Sequence, residues 1–331
     1  MNEQMQQQME EMQKAKKRFW RIMIPLFVYF GVRYVATSIM GAAMYLLHLP
    51  ELIDMKAIDS MNTTDAMNYI SNSMMDMLNN QERMAKLMEI ILKNTTLINT
   101  IVAVVAIIVG LVFFILDRRQ DKKTQIPRQT KEAAWKYPML LLLGIAGCLG
   151  LNIIINMCDQ AFLGGSTSQG LQVTYLAPIW LQIVGLGVIV PISEELFYRG
   201  VLYNRYREAG TCMRAAVYSA LLFALMHGSV LEMIYAMVLG MVLAYAYEKF
   251  GSIWAPICIH MAINLTSVAA TNVNLFDWAL AQPMRAGIIT IVCAFLSSVI
   301  VVHLQNLDGR DYSPIEEKVD NSTEKSDNSW N

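Results

Sequence analysis

Charge is what this sequence has least of for its length. Asp, Glu, Lys and Arg make up 16% of its 331 residues, where a soluble domain carries about a quarter. That shortage argues against a water-soluble globule. The charges present nearly cancel, leaving a formal net charge of −1, so there is no basic surface to suggest a nucleic-acid partner. Histidine is scarce too, with four in the chain. The five cysteines (Cys148, Cys158, Cys212, Cys258 and Cys293) form no CxxC pair and sit mostly in apolar runs. They read as buried thiols, not as a disulfide framework. No internal repeat is visible, which weighs against a transporter built on inverted repeats. The zinc-protease pattern His-Glu-x-x-His is absent.

What is abundant is apolar residue, at 55%, gathered into runs long enough to cross a bilayer. The expected fold is therefore all-α: a polytopic transmembrane helical bundle with an intramembrane polar site. Eight spans are predicted, at 22–49, 95–116, 138–158, 176–204, 214–230, 231–248, 252–272 and 284–304. The loop 117–137 holds Arg118, Arg119, Lys122, Lys123, Arg128, Lys131 and Lys136, whereas 159–172 holds no Lys or Arg. With Lys14 to Arg21 before the first span, this asymmetry places both termini in the cytosol. The first apolar run is too long for a secretory signal and reads as an uncleaved span.

The chain divides into four parts. Residues 1–21 are a cytosolic, amphipathic and basic segment. Residues 22–172 are accessory transmembrane helices, with an extracytoplasmic amphipathic insert at 50–94 that could equally be a solvated connector. Residues 173–304 form the membrane domain with the polar site, and 305–331 a disordered cytosolic tail. Trp20, Trp135 and Tyr137 are expected to anchor span ends at the interface. His48 and His303 also fall at span ends. Arg33 lies deep in the first span, with either a buried acid or a later helix start to account for it.

The polar residues inside the spans are few and specific. The fourth span carries Glu194-Glu195-Leu196-Phe197-Tyr198-Arg199. The fifth carries Phe223 and His227, and the seventh His260 and Asn264. At 1.5 Å per residue, Glu194 lies about 16 Å from Arg205, His227 about 20 Å from Arg214, and His260 about 12 Å from Ser252. All three depths fall within a core about 30 Å thick. A carboxylate at that depth costs several kcal/mol unless partners or water receive it. Glu195 and Arg199, four apart, can pair on one face while Glu194 points elsewhere. His260 and Asn264 likewise share a face. Gly185, Gly187 and Pro191 precede the acids, so a bend is expected there.

These groups suit peptide hydrolysis. A base activates water, and fixed donors receive the oxyanion. A carboxylate withdrawn from bulk water is a stronger base. An imidazole can carry the proton to the leaving amine. Glu194, His227 and His260 are also a possible zinc set with an open position for water, so metal-free and metal-bound versions both stand. For a single residue, a helix–helix hydrogen bond or a structural ion pair is the plainer reading. Five at matching depth favour a catalytic site.

Glu-Glu-x-x-x-Arg, Phe-x-x-x-His and His-x-x-x-Asn, in order on successive apolar helices over about 173–275, resemble the CAAX protease and bacteriocin-processing family. That family is related to the prenyl-protein endopeptidases. The resemblance implies an intramembrane protease. In it Glu194 and His227 would activate the attacking water, and His260 and Asn264 would stabilise the oxyanion. Glu195, Arg199 and Phe223 would support them. Its implied substrate is a membrane peptide or protein within the lipid bilayer, and its implied location a bacterial cell membrane. A non-catalytic scaffold or bacteriocin-immunity protein is the alternative, and a proton-coupled transporter the second. The site is expected to open toward the cytosol, with Arg199 lining the opening and Tyr198 and Tyr203 reachable from it. Oligomeric state is not set by the sequence.

Overall fold

A computed structural model describes residues 3–123, 131–164, 175–208 and 210–307. The tail from residue 308 lies outside them, as do parts of the loops 117–137 and 159–172. All regular structure among the described residues is helical. Seven helices are long and apolar enough to cross a membrane, and the protein is an integral membrane protein. They are α1 (Glu3–Leu47), α5 (Gln81–Lys123), α6 (Tyr137–Leu163), α7 (Ile179–Glu208), α9 (Val230–Phe250), α10 (Trp254–Asn272) and α12 (Pro283–Gln305). Between them lie α2 (Leu49–Leu52), α3 (Met55–Ile58), α4 (Thr63–Asn79), α8 (Cys212–Ala224) and α11 (Leu275–Leu280).

The fifth predicted span differs. Residues 214–230 were expected to be one helix, but α8 ends at Ala224 after 13 residues, about 20 Å of rise. Residues 225–229 continue as a non-helical turn. The cause is local. Gly228 is a poor helix former, and Ser229 starts the next helix with a capping box. Its hydroxyl accepts from the Glu232 amide at 3.2 Å, and the Glu232 carboxylate accepts from the Ser229 amide at 2.9 Å. A helix nucleated at Ser229 forces its predecessor to stop short. His227 therefore sits in a turn and not on a helix face.

Residues 3–21 are continuous with the first span, since α1 runs unbroken from Glu3. The insert 50–94 holds α2, α3, α4 and the start of α5. Tyr69 and Ile70 of α4 pack with Leu87 on Ile53 and Ile90. Trp20 and Trp135 are exposed, as interface anchors would be.

Two apolar cores frame the polar site. Leu140 and Leu143 of α6 meet Leu239 and Leu243 of α9, Ile259 and Ile263 of α10, and Ile300 and Leu304 of α12. Tyr29 of α1 and Ala106 of α5 meet Phe197, Tyr198 and Val201 of α7, Phe223 of α8 and Ala236 of α9. Close approach between spans relies on small residues, because lipid offers no hydrophobic drive to pack helices together. A Cβ on Gly240 of α9 would lie 2.9 Å from the Ala220 Cβ of α8, and one on Gly144 of α6 would lie 2.6 Å from the Ile259 carbonyl oxygen. Of the five thiols, Cys148, Cys212 and Cys293 are buried and Cys158 and Cys258 half-buried; all are free.

Candidate active site

The helix that carries the acids is irregular on both sides of them. Within α7, Gln182–Ile189 and Tyr198–Tyr203 are π-helical and flank an α-helical stretch, Val190–Phe197. Such widened turns concentrate at functional sites. Gly185 and Gly187, where a bend was expected, lie in the first of these stretches, and Pro191 lies just after it. The Val190 amide donates to the Gly185 carbonyl. The next donor in that register would be residue 191, and proline has no N–H. The Leu186 carbonyl so released accepts from Asn264 Nδ2 at 2.8 Å. One Asn264 hydrogen thus fixes the carboxamide, and the second remains to donate.

Glu195 is fully buried and closed in. Its Oε1 accepts from Arg199 Nη1 at 2.9 Å and lies 2.7 Å from His260 Nδ1. Arg199, also fully buried, donates from Nη2 to the Gly240 carbonyl at 3.0 Å and lies over the Phe223 ring, 4.9 Å from its centroid. A carboxylate oxygen beside a guanidinium accepts, so His260 carries its hydrogen on Nδ1 and turns Nε2 away from Glu195. That Nε2 lies 3.7 Å from Glu194 Oε2, beyond a hydrogen bond.

Glu194 is the open member of the pair. Its side chain is 21% exposed, against 0% for Glu195. His227 is half-buried, and its Nδ1 lies 3.0 Å from the Phe223 carbonyl. A carbonyl only accepts, so Nδ1 bears the hydrogen and Nε2 the lone pair. Both imidazoles stand edge-on to Phe223, with centroids 4.9 Å away for His227 and 5.8 Å for His260. The fold thus gathers Glu194, Glu195, Arg199, Phe223, His260 and Asn264 around the α7–α10 contact. It brings His227 to the same aromatic ring, without an ion pair between His227 and Glu194 among the described residues.

Non-helical backbone at membrane depth persists only where it is packed in protein or lines a water-filled cavity. The 225–229 turn carries His227, and its Leu225 and Met226 are exposed. The expected opening past Arg199 is not found. Arg199, Tyr198 and Tyr203 are all buried, at 0%, 2% and 1% exposure, because Tyr198 packs into the core with Phe197 and Phe223. Three further residues belong to this neighbourhood that the sequence did not single out. Tyr29 of α1 reaches Ser193, beside Glu194, with 3.5 Å between their oxygens. Glu232 caps α9 next to the His227 turn. A lone Tyr or Ser in an apolar run carries no spacing signal, but Ser-x-x-Glu at 229–232 does.

The geometry does not assemble the zinc set. Among the described residues, no three His, Cys, Asp or Glu side chains converge as metal ligands. Glu195 holds His260 Nδ1 and the Phe223 carbonyl holds His227 Nδ1, which leaves each Nε2 clear of those bonds. No step is routed through a metal below.

Residues 176–266 match the model of the family described as "Type II CAAX prenyl endopeptidase Rce1-like". Curated relatives are similar over about a quarter to a third of the chain. One is "Putative membrane peptidase YdiL" of Bacillus subtilis (strain 168), 25% identical over 25% of this chain and 34% of its own. The others, from Lactococcus lactis subsp. lactis (strain IL1403), are "UPF0177 protein YbdJ" and "UPF0177 protein YxdF". They are 33% and 30% identical, each over 30% of this chain, and over 43% and 54% of their own. The chain thus spans about a third to a half of the length of the curated relatives it matches. No solved structure matches it. The resemblance to the type II CAAX protease family holds for this segment.

Proposed function

We propose that the protein is an intramembrane endopeptidase that hydrolyses a peptide bond of a membrane-associated peptide or protein, with Glu194 as the base. The supporting observation is the contrast between adjacent acids. Glu195 is closed off by Arg199 and His260, while Glu194 keeps a free, partly exposed carboxylate beside His260 Nε2.

Glu194 takes a proton from water as the water oxygen attacks the scissile carbonyl carbon. A C–O bond forms, and the carbonyl π pair moves onto oxygen. The second Asn264 N–H donates to that oxyanion, as does His260 from Nε2 when that nitrogen is protonated. The C–N bond then breaks, and the proton removed from water goes to the leaving amine. In this reading the Nε2 lone pair of His227 shares that proton on the way. Fixed groups of this kind gain strength where water is excluded. Both termini are read as cytosolic, from the arginine- and lysine-rich loops.

The test is comparison of membrane peptides from cells carrying wild type, Glu194→Gln or His227→Ala, followed by assay of the purified variants on the peptides that differ. Each variant is expected to insert and accumulate normally and to lose processing by about 10²–10⁴-fold, the usual contribution of a general base. Processing at the wild-type rate by purified Glu194→Gln overturns the reading. Chelation and metal replacement on the same assay decide the metal: activity that survives rigorous metal removal leaves the glutamate mechanism intact, and zinc-specific restoration replaces it.

A further inference from the structure

The matched segment begins at residue 176, yet part of the site's surroundings comes from α1, well outside it. Tyr29 stacks on Phe197 with ring centroids 3.6 Å apart and planes within 3°. Its hydroxyl oxygen lies 3.5 Å from Ser193 Oγ and 3.5 Å from Arg33 Nη1. The Arg33 guanidinium lies 5.6 Å from the Tyr29 ring centroid. A chain of contacts therefore runs from Arg33 through Tyr29 to Ser193, the residue before Glu194.

Arg33 needs an account of its own. It stands in an apolar run, between Val32 and Tyr34. A guanidinium at membrane depth is costly and almost always turns toward the bundle interior or pairs with an acid. Among the described residues no carboxylate lies within ion-pair distance of it, and its chain of contacts through Tyr29 ends at Ser193, beside Glu194. Inside a bundle, where the effective dielectric is lower than in water, attraction between opposite charges extends beyond contact.

We infer that Arg33 is a positioning residue for Glu194, supplied by α1, with Tyr29 and Ser193 holding the two groups in register. This rests on the reading of Glu194 as the base. Glu195 is immobilised by Arg199 and His260, but among the described residues the Glu194 carboxylate has no hydrogen bond to fix it. Arg33 supplies direction by electrostatic attraction without occupying the carboxylate oxygens. Those remain free to receive water. α1 is thus part of the working site and not only an accessory span.

The first arm of the test needs no substrate. Thermal unfolding of the full chain in detergent is compared for wild type, Arg33→Met, Glu194→Gln and the double variant. Arg33→Met is expected to lower the midpoint when Glu194 is present and to have little effect in the Glu194→Gln background; Arg33→Lys is expected to restore it. An equal loss in both backgrounds would mean that Arg33 only supports Tyr29, and would overturn the inference.

The second arm uses the peptides that accumulate in Glu194→Gln cells. Arg33→Met is expected to lower kcat by about 10- to 100-fold, as a misplaced reacting group does, with KM nearly unchanged and kcat recovered in Arg33→Lys. A raised KM with unchanged kcat would make Arg33 a substrate-binding group and overturn the positioning role. If Glu194→Gln itself processes normally, the protease reading fails, while the unfolding cycle still reports whether Arg33 and Glu194 are coupled.

Discussion

The molecule holds two buried clusters of acid and arginine, finished in different ways. At the end of the bundle that carries Arg21, both oxygens of Asp117 on α5 accept from Arg205 on α7, at 2.8 Å each. Arg205 Nη1 also donates to the Arg21 carbonyl, and Arg21 pairs with Glu208 at 2.6 Å. Nearby, Tyr203 and Arg207 hold both oxygens of Glu248 on α9, at 2.8 and 3.1 Å. In the middle of the bundle, Glu195 takes Arg199 and His260 on one oxygen, while Oε2 and Arg199 Nε have no partner among the described residues. Bidentate pairs at the first cluster lock α1, α5, α7 and α9 together. Unpartnered buried atoms at the second are tolerated where chemistry needs free groups, since each costs about 1–3 kcal/mol.

Removing Arg199 should break this contrast most severely. Arg199→Ala leaves the Glu195 carboxylate at 0% exposure with one imidazole for a partner. Loss of one member of a buried pair costs about 3–5 kcal/mol. The unfolding midpoint in detergent and the folded yield are both expected to fall, and activity with them. Adding Glu195→Gln should recover part of the stability, because the buried charge goes with it, but not the activity. An unchanged midpoint for Arg199→Ala would mean that the central cluster bears no load, and the comparison would collapse.

The Asp117–Arg205 cluster offers the opposite test. Arg205 and Asp117 side chains keep 8% and 11% exposure, so water can reach a broken pair. Arg205→Ala is expected to cost about 1.5–3 kcal/mol, the range for hydrogen bonds to charged groups. Processing per folded molecule should stay at the wild-type level. Rates measured on the monodisperse fraction check this. A drop in that rate equal to the one in Arg199→Ala would show that the two clusters are coupled, and would remove the division between anchoring and chemistry.

The central cluster was more legible in the sequence than the basic-end one, for a physical reason. Glu195 and Arg199 are four apart on one helix, as are His260 and Asn264, so helical periodicity alone joins them. Asp117 and Arg205 are 88 positions apart, and only the packing of α5 on α7 shows that they meet. Span positions followed from hydropathy because lipid demands it. The fifth span was misread because an apolar run does not reveal where a helix stops. The stop lay in the Ser229–Glu232 capping box, hidden by hydrophobic neighbours. The opening past Arg199 was misplaced because direction along a helix gives depth but not which face is covered. Arg33 stood out from the start as a charge in lipid, but its neighbours Tyr29 and Ser193 are ordinary residues whose roles need the fold.

The smallest expected effect concerns the turn that carries His227. Ser229→Ala removes one of the two reciprocal bonds of the capping box, the one from the Glu232 amide. Loss of such a cap costs about 0.5–2 kcal/mol, well below the loss of Arg199. The substitution touches neither Glu194 nor the Glu195–Arg199 pair, so a stability effect alone would leave processing intact. The cap, however, fixes where α9 begins, and the preceding turn holds the His227 ring. Processing by Ser229→Ala is therefore expected to fall more than its small loss of stability explains. Ser229→Asp, which keeps an acceptor at the cap, should restore both. Full processing by a stably folded Ser229→Ala would show that the His227 turn is held by the packing of Phe223 alone. The mid-bundle site would then owe nothing to the start of α9.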